Sequence, residues 1–305
     1  MSFEVTILGS GAAVPTSLRN PSSQYVVCND RHILIDCGEG TQMQIRKLGI
    51  KLQRINYILI SHLHGDHFFG LVGLLSTMHL MGRDKGITIY GPEELEIIIR
   101  NQLEIGGARL DFQLTFVRLN GTESKKIFED RLIEIYTFPL KHRIPTNGFL
   151  IKEKQKERQL ISEAIKGSGL KIENLPQLKR GENVINELGE EYDFEDFTLP
   201  PKPSYSYAYC SDTTYWETIV PNIKDVTVLY HEATFTEKDR ERAKATYHST
   251  AAQAAKIAAM ANVEKLFLGH ISARYEGTEI HLSESRQFFG KTEVVEDGMK
   301  ITISK

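Results

Sequence analysis

The sequence predicts an α/β layered domain, and three observations carry that expectation. Short runs rich in β-branched and aromatic residues recur from end to end, helix-favouring stretches fall between some of them, and other runs sit close enough to pair as hairpins. A helical bundle would not need the runs, and a sandwich would not need the helices. The 305 residues suffice for one large domain or two ordinary ones, either with a sizeable core.

Taken in order, the expected strands are Phe3–Leu8, Gln24–Val27, Ile33–Ile35, Tyr57–Ile60, Ile87–Tyr90 and Leu114–Leu119, then Leu132–Phe138, Gly148–Ile151, Tyr205–Tyr209, Val226–Tyr230, Lys265–Leu268 and Met299–Ile303. Gly91-Pro92-Glu93-Glu94 reads as a helix start, with proline at an early position and acids near the positive end of the dipole. Ser249–Asn262 is alanine-rich and strongly helix-favouring, and Thr250 with Gln253 three residues on reads as a capping box. The segment 152–203 is different: charged, poor in β-branched residues, and closed by Pro200-Pro201-Lys202-Pro203. It is expected to protrude as an inserted arm from a single domain spanning 1–305, with a short helix near Arg158–Lys166. No internal repeat stands out.

Hydrophobic residues at 41% and charged residues at 25% are ordinary for a folded cytosolic protein. Cys28, Cys37 and Cys210 show no C-x-x-C spacing, so a disulfide framework is not expected and a reducing, cytoplasmic compartment is. No apolar run is long enough to cross a bilayer, and the charged and apolar regions of a signal peptide are missing, which excludes a membrane role. The net charge of −3 is not the basic footprint of a typical nucleic-acid binder. Charge is uneven, however: Lys141 to Arg180 carries +6 against −9 for the remainder, and Glu182 to Asp196 has seven acids without one Lys or Arg. A solvated, salt-bridged surface accounts for such alternation as readily as a binding face does.

The strongest chemical signal is Ser61-His62-Leu63-His64-Gly65-Asp66-His67, directly after the Tyr57–Ile60 run. Three imidazoles and a carboxylate so close together are costly to bury unpaired, and they are the ligand types that zinc prefers. His142 follows Leu132–Phe138, Asp212 follows Tyr205–Tyr209, His231 and Glu232 follow Val226–Tyr230, and His270 follows Lys265–Leu268. Singly, His142, Asp212 or His270 is as well read as a satisfied core or turn residue. Together, five strands present such a residue just past their C-terminal ends, the edge where layered α/β domains form ligand crevices.

The H-x-H-x-D-H run with the later histidine, aspartate and histidine resembles the metallo-β-lactamase superfamily over nearly the whole chain. The resemblance implies a four-layer αββα sandwich with two cations at one edge: His62, His64 and His142 on one, Asp66, His67 and His270 on the other, and Asp212 bridging. It implies a supporting role behind the ligands for Asp36 in Leu34-Ile35-Asp36-Cys37-Gly38, where a turn-forming aspartate is the equally available local reading. Two neighbouring divalent cations lower the pKa of a shared water and clamp the oxygens of an in-line displacement, with Asp66 placed to orient that water or take its proton. A ligand set without cysteine departs from lactamases and glyoxalases and favours phosphate oxygens.

Four further stretches resemble ribonuclease Z: Cys37-Gly38-Glu39-Gly40-Thr41-Gln42, His231-Glu232-Ala233-Thr234-Phe235, His248-Ser249-Thr250, and Gly269-His270-Ile271-Ser272-Ala273-Arg274-Tyr275, the last with alanine where a second serine is common. That family implies an endoribonuclease removing the 3′ trailer of precursor tRNA, leaving a tRNA 3′-hydroxyl and a trailer 5′-phosphate. It also implies two Zn2+ per subunit, with Mn2+ as the alternative, and a homodimer. His248 would donate a proton to the departing 3′ oxygen, partnered by Glu232. It precedes a capped helix whose positive end faces an anionic substrate, and a carboxylate partner favours imidazolium. The plainer alternative is a histidine that merely precedes a helix.

Pro15-Thr16-Ser17-Leu18-Arg19-Asn20 corresponds to the family's P-x-K-x-R-N element; Ser17 stands where lysine is usual, leaving Arg19 and Asn20 as RNA contacts. Arg274 is a candidate for a backbone phosphate. The 152–203 insertion falls where the family places its tRNA-gripping arm, with Lys152, Lys154, Lys156 and Arg158 as phosphate-binding candidates beside Lys179 and Arg180. A Gly-Pro-rich tip is replaced by Lys171-Ile172-Glu173-Asn174-Leu175-Pro176, and the acidic run beyond Gly181 opposes RNA unless it faces away. The alternative enzyme is a broader phosphodiesterase acting on small or cyclic diesters. A non-catalytic scaffold is a third reading, opposed by the complete ligand set.

Overall fold

Side-chain alternation along the strands builds the architecture. In the computed structural model, which describes residues 3–185 and 189–304, Phe3, Val5 and Ile7 turn to one side of their strand and Leu8 to the other. Ile33 and Ile35 likewise oppose Leu34, and Leu59 opposes Ile58 and Ile60. The first set meets Tyr207, Tyr209, Val228, Tyr230 and Phe267 of a second sheet in a core between the sheets. From that second sheet Ala208, Leu229, Leu266 and Leu268 face outward, onto the helix Ala251–Met260. Outside the first sheet, Thr41–Lys47, Leu71–Leu80 and Glu93–Ile105 cover Leu34, Ile58 and Ile60. Helix, sheet, sheet, helix: these are the four layers anticipated.

The first sheet runs, in spatial order, Lys300–Thr302, Phe3–Gly9, Ser23–Cys28, Arg31–Ile35, Tyr57–Leu59, Ile87–Pro92 and Leu114–Leu119. The second runs Thr292–Val294, Lys265–Gly269, Val228–Glu232, Ser206–Cys210, Thr146–Glu153, Ile133–Leu140 and Lys125–Glu129. The stretch from Arg31–Ile35 to Leu114–Leu119 is parallel, as is that from Ser206–Cys210 to Thr292–Val294. Parallel neighbours bring their C-terminal ends to one rim, which is why residues from distant strands meet there.

The expected helix start at Glu93 has Pro92 as N-cap and Glu93, Glu94 and Glu96 in its first turn. The Thr250–Gln253 capping box is reciprocal: Thr250 Oγ1 accepts from Gln253 N at 3.3 Å, and Gln253 Oε1 from Thr250 N at 3.0 Å. Cys28, Cys37 and Cys210 are buried, and none of them is joined in a disulfide. No helix among the described residues is long and apolar enough to cross a membrane.

Glu153–Ser204 forms a compact unit of its own, packed around Leu178, Val184 and Phe197. The helix expected near Arg158–Lys166 is confined to Ser162–Ile165, because Gln159–Leu160 commits its backbone to a strand pair with Thr198–Leu199. Residues 186–188 of the acidic run lie outside the described residues.

Candidate metal centre

His62, His64, Asp66 and His67 leave the end of Tyr57–Leu59 on a turn that enters the short helix Gly65–Phe68. The Cys37–Gly40 segment packs against this turn at backbone distance: a Cβ on Gly38 would lie 2.5 Å from the Asp66 carbonyl oxygen. His142 follows Ile133–Leu140, Asp212 follows Ser206–Cys210, and His270, at φ 56, follows Lys265–Gly269.

These residues form two groups that share one carboxylate. Ligand atoms of His62, His64, His142 and Asp212 all lie within 4.8 Å of one another, as do those of Asp66, His67 and His270. His64 Nδ1 is 3.1 Å from both His62 Nε2 and His142 Nε2. Asp212 Oδ2 faces this group, 3.5 Å from His62 Nε2 and 3.7 Å from His142 Nε2. Its Oδ1 faces the other, 3.3 Å from His67 Nε2 and 3.2 Å from His270 Nε2. Asp66 Oδ2 completes that group, 3.3 Å from His270 Nε2 and 3.5 Å from His67 Nε2.

The rear nitrogens explain the aim of the front ones. His67 Nδ1 bonds Asp36 Oδ2 at 2.8 Å, His142 Nδ1 the Tyr247 carbonyl at 2.8 Å, and His270 Nδ1 Thr234 Oγ1 at 2.9 Å. Each leaves an Nε2 pointing into the site. Asp36, fully buried, also accepts from Ser61 N, Ser61 Oγ and Tyr209 OH at 2.7–2.9 Å. Asp36 thus stands behind His67, and its backbone at φ 56 also takes the left-handed conformation of a turn-forming aspartate.

The donor set fits divalent cations. His67 Nε2 and Asp212 Oδ1 are buried 3.3 Å apart without a hydrogen bond, and a cation seated beside both would satisfy them. Burial works against a charged His67, but Asp212, Asp66 and Asp36 together raise its pKa well above the ordinary value. Burial and the His67 charge push His62 down to about 4, and burial lowers His64 and His142. His62, His64 and His142 are thus held neutral, the form a metal ligand must have, and a cation bound at His67 would displace its proton.

Beside the first group, His248 Nε2 stands 4.0 Å from Asp212 Oδ2, and its Nδ1 bonds Glu232 Oε1 at 2.9 Å. Burial disfavours the imidazolium, but the Glu232 and Asp212 charges and the Glu232 hydrogen bond raise His248 to about 9. His231 does not join them. Its neighbours across the strands, Cys210 and Leu268, belong to the helix-side core, and its Nδ1 bonds the Glu232 carbonyl at 2.7 Å. Alternation turns His231 away while it turns Glu232 inward.

A cleft of about 640 Å³ opens over the cluster, with His64, Asp66, Asp212, His248 and His270 in its lining. Arg274 lines it too, stacked over Phe235 at 5.1 Å and 3.6 Å from Asp239. Arg19 and Asn20 are engaged in the fold: Arg19 donates to Ser10 Oγ and the Val295 carbonyl, Asn20 to Asp297. In the arm, Lys156 bonds Glu153 at 2.8 Å and the Pro203 carbonyl at 2.9 Å, and Arg158 bonds Thr198 at 2.7 Å while stacking on Phe194. Lys152 is exposed and Lys154 half-buried. Arg242, an exposed residue of the helix Arg240–Thr246 and part of the cleft lining, escaped the sequence reading because it lies in no motif.

Two facing sheets with histidines and aspartates converging at one rim define a hydrolase of the metallo-β-lactamase fold. YhfI, a metallo-β-lactamase fold protein from Bacillus subtilis, matches with a TM-score of 0.70 at 15% identity, covering 99% of this chain and 100% of its own. The short form of human tRNase Z matches with a TM-score of 0.73 at 28% identity, over 99% of this chain and 100% of that one. A protein named ribonuclease Z from Parabacteroides distasonis is 43% identical over 301 residues, 99% of both chains. Another from Bacteroides thetaiotaomicron is 42% identical over 99% of this chain and 96% of that one. The chain belongs to the ribonuclease Z family. Residues 3–164 also match the family described as Anti-Pycsar protein Apyc1, a stretch that holds His62–His67 and His142 but neither Asp212 nor His270.

Proposed function

We propose that this chain is the endonuclease that removes the 3′ trailer from precursor tRNA, with two Zn2+ per subunit held by His62, His64 and His142, by Asp66, His67 and His270, and by Asp212 between them. Mn2+ is the alternative metal. The observation that carries the reading is the division of Asp212, one oxygen to each ligand group, at the foot of a cleft lined by His248, whose ring the buried Glu232 holds from behind.

Two divalent cations held there would polarise the scissile phosphate and acidify a water between them. Asp66, partly open to the cleft, is the carboxylate that would orient the attacking water and take its proton. Burial opposes its charge, but the His67 and His270 imidazoles keep its carboxyl well below the usual range, so it is ionised at neutral pH. His248 gives its proton to the departing 3′ oxygen, and Glu232 holds the ring for that transfer. Water as the nucleophile leaves a 3′-hydroxyl on the tRNA and a 5′-phosphate on the trailer. Arg274 at the cleft, Arg19 and Asn20 on the loop beside it, and Lys152, Lys154, Lys156 and Arg158 in and beside the arm are the RNA contacts of this reading, on a cytoplasmic homodimer.

Incubation with a 3′-extended tRNA, followed by mapping of the product end, tests it. The expected product ends in a 3′-hydroxyl after the acceptor stem, and chelation of about two metal ions per chain stops its formation. Turnover of a small aryl phosphodiester faster by orders of magnitude than precursor tRNA would favour the broader phosphodiesterase instead.

A further inference from the structure

Asp297, far from every motif, holds both ends of the loop between Ser10 and Asn20. Its Oδ1 accepts from Ser10 N at 2.9 Å and Ser10 Oγ at 2.6 Å, and its Oδ2 from Asn20 N at 2.7 Å and Asn20 Nδ2 at 2.8 Å. Arg19 adds a pin, donating to Ser10 Oγ at 2.7 Å and to the Val295 carbonyl at 2.8 Å. Gly11–Ala12 pairs in register with Ile271–Ser272, the residues just after His270. The closure is tight enough that a Cβ on Gly9 would fall 1.7 Å from the Pro21 carbonyl oxygen.

Inside this closure Ala13 adopts φ 62, a left-handed conformation that residues with a Cβ seldom take. The conformation points its N–H at Asp66 Oδ2, 2.8 Å away. That oxygen is the one standing 3.3 Å from His270 Nε2 and 3.5 Å from His67 Nε2. The loop therefore delivers one backbone donor to the carboxylate oxygen that completes the second ligand group.

We infer that Asp297 is a positioning residue for Asp66, acting through the Ser10–Asn20 loop and the Ala13 backbone N–H. The inference rests on the role assigned to Asp66 in the proposed function. It gives Arg19 and Asn20 a task independent of RNA: they hold the loop that aims the Ala13 amide. Hydrogen bonds from behind a ligand fix which oxygen faces the site, and their loss typically lowers metal affinity or activity by about 10- to 100-fold.

The test uses the full-length zinc-loaded protein with Asp297→Ala, Asp297→Asn and a protein carrying lactic acid at position 13, which turns the amide into an ester, replaces the Ala13 N–H by oxygen and weakens the Ala12 carbonyl that accepts from Val14 N. Readouts are kcat and KM on bis(p-nitrophenyl) phosphate, zinc affinity by chelator competition, and melting temperature. The ester protein should lose about tenfold or more in kcat, in zinc affinity or in both, with KM within about twofold and an almost unchanged melting temperature. Asp297→Asn, which keeps one acceptor oxygen, should fall between parent and Asp297→Ala. Combining Asp297→Ala with the ester should be no worse than the more severe single change, since both act through one contact. Parent-like kcat and zinc affinity in the ester protein would overturn the inference. Asp66→Asn separates the two ideas: if it still turns over, the assigned role of Asp66 fails; if it is inactive while the ester is parent-like, only the loop inference fails.

Discussion

Glu232 is buried completely, and every contact it makes serves the groups around His248. Its Oε1 accepts from Thr213 N, Ser249 N and His248, its Oε2 from Thr234 N and Thr234 Oγ1, at 2.7–3.1 Å. Five donors hold the carboxylate ionised beside the imidazole, and its charge, with that of Asp212, raises His248 to about 9 against the cost of burial. A proton donor with a raised pKa is loaded at neutral pH and is lost as pH rises through that value; bound cations, being positive, bring this alkaline limb lower. Glu232→Gln removes the charge that raises His248, so the limb should move to lower pH and kcat should fall about 100-fold. A pH profile of kcat/KM on a slow substrate measures both, and an unmoved limb would assign it to another group. At this scale the sequence discloses side-chain identity and little else. The convergence of His62, His64, Asp66 and His67 was legible because four residues of ligand type stand together, and that of Asp212 and His270 because each follows a strand. The Ala13 contact was not, since a backbone N–H carries no letter and its aim depends on a loop closed by a residue 284 positions away.

Elements were legible where two faces are buried and obscure where one is not. Arg31–Ile35 and Lys265–Gly269, flanked on both sides, read as apolar runs. The two strands of the large sheets left unassigned, Lys125–Glu129 and Thr292–Val294, are the outer edges of the second sheet. Edge strands carry charge that discourages pairing with another chain, so Lys125, Lys126 and Glu129 erase the hydrophobic pattern. In the arm, two-residue strands are too short for any period to show. The Ala251–Met260 helix was readable from its cap, and the cap also serves the site because Thr250 directly follows His248-Ser249. Thr250 Oγ1 accepts from Gln253 N and donates to Glu237. Thr250→Ala should therefore cost about 1 kcal/mol of stability in urea unfolding and reduce kcat with it. Full stability with unchanged kcat would show that the cap contributes to neither.

At the scale of the molecule, the geometry of the arm's attachment makes its role separable from the chemistry. Lys152 and Ser206 are register partners on the antiparallel strands Thr146–Glu153 and Ser206–Cys210, so the chain leaves and rejoins the second sheet at adjacent positions. Replacing 153–205 with Asn-Gly closes that pair as an ordinary two-residue hairpin, but also removes Tyr205, which packs against the core between the sheets. The removed unit has its own core around Leu178, Val184 and Phe197. Its charge does not make it a general polyanion clamp: 153–204 holds 8 Lys and Arg against 11 Asp and Glu. Several of the cations are already paired, Lys156 with Glu153 and Arg180 with both oxygens of Glu182. A grip on tRNA must then come from a few placed contacts, which makes the expected effect specific in kind. KM for precursor tRNA should rise about tenfold or more and its salt dependence should flatten, because each lost phosphate contact removes roughly one unit of slope. Hydrolysis of bis(p-nitrophenyl) phosphate should stay within about twofold, since every ligand and the His248–Glu232 pair lie outside 153–204. Equal losses on both substrates would mean that the unit supports the body of the enzyme and has no part in holding RNA.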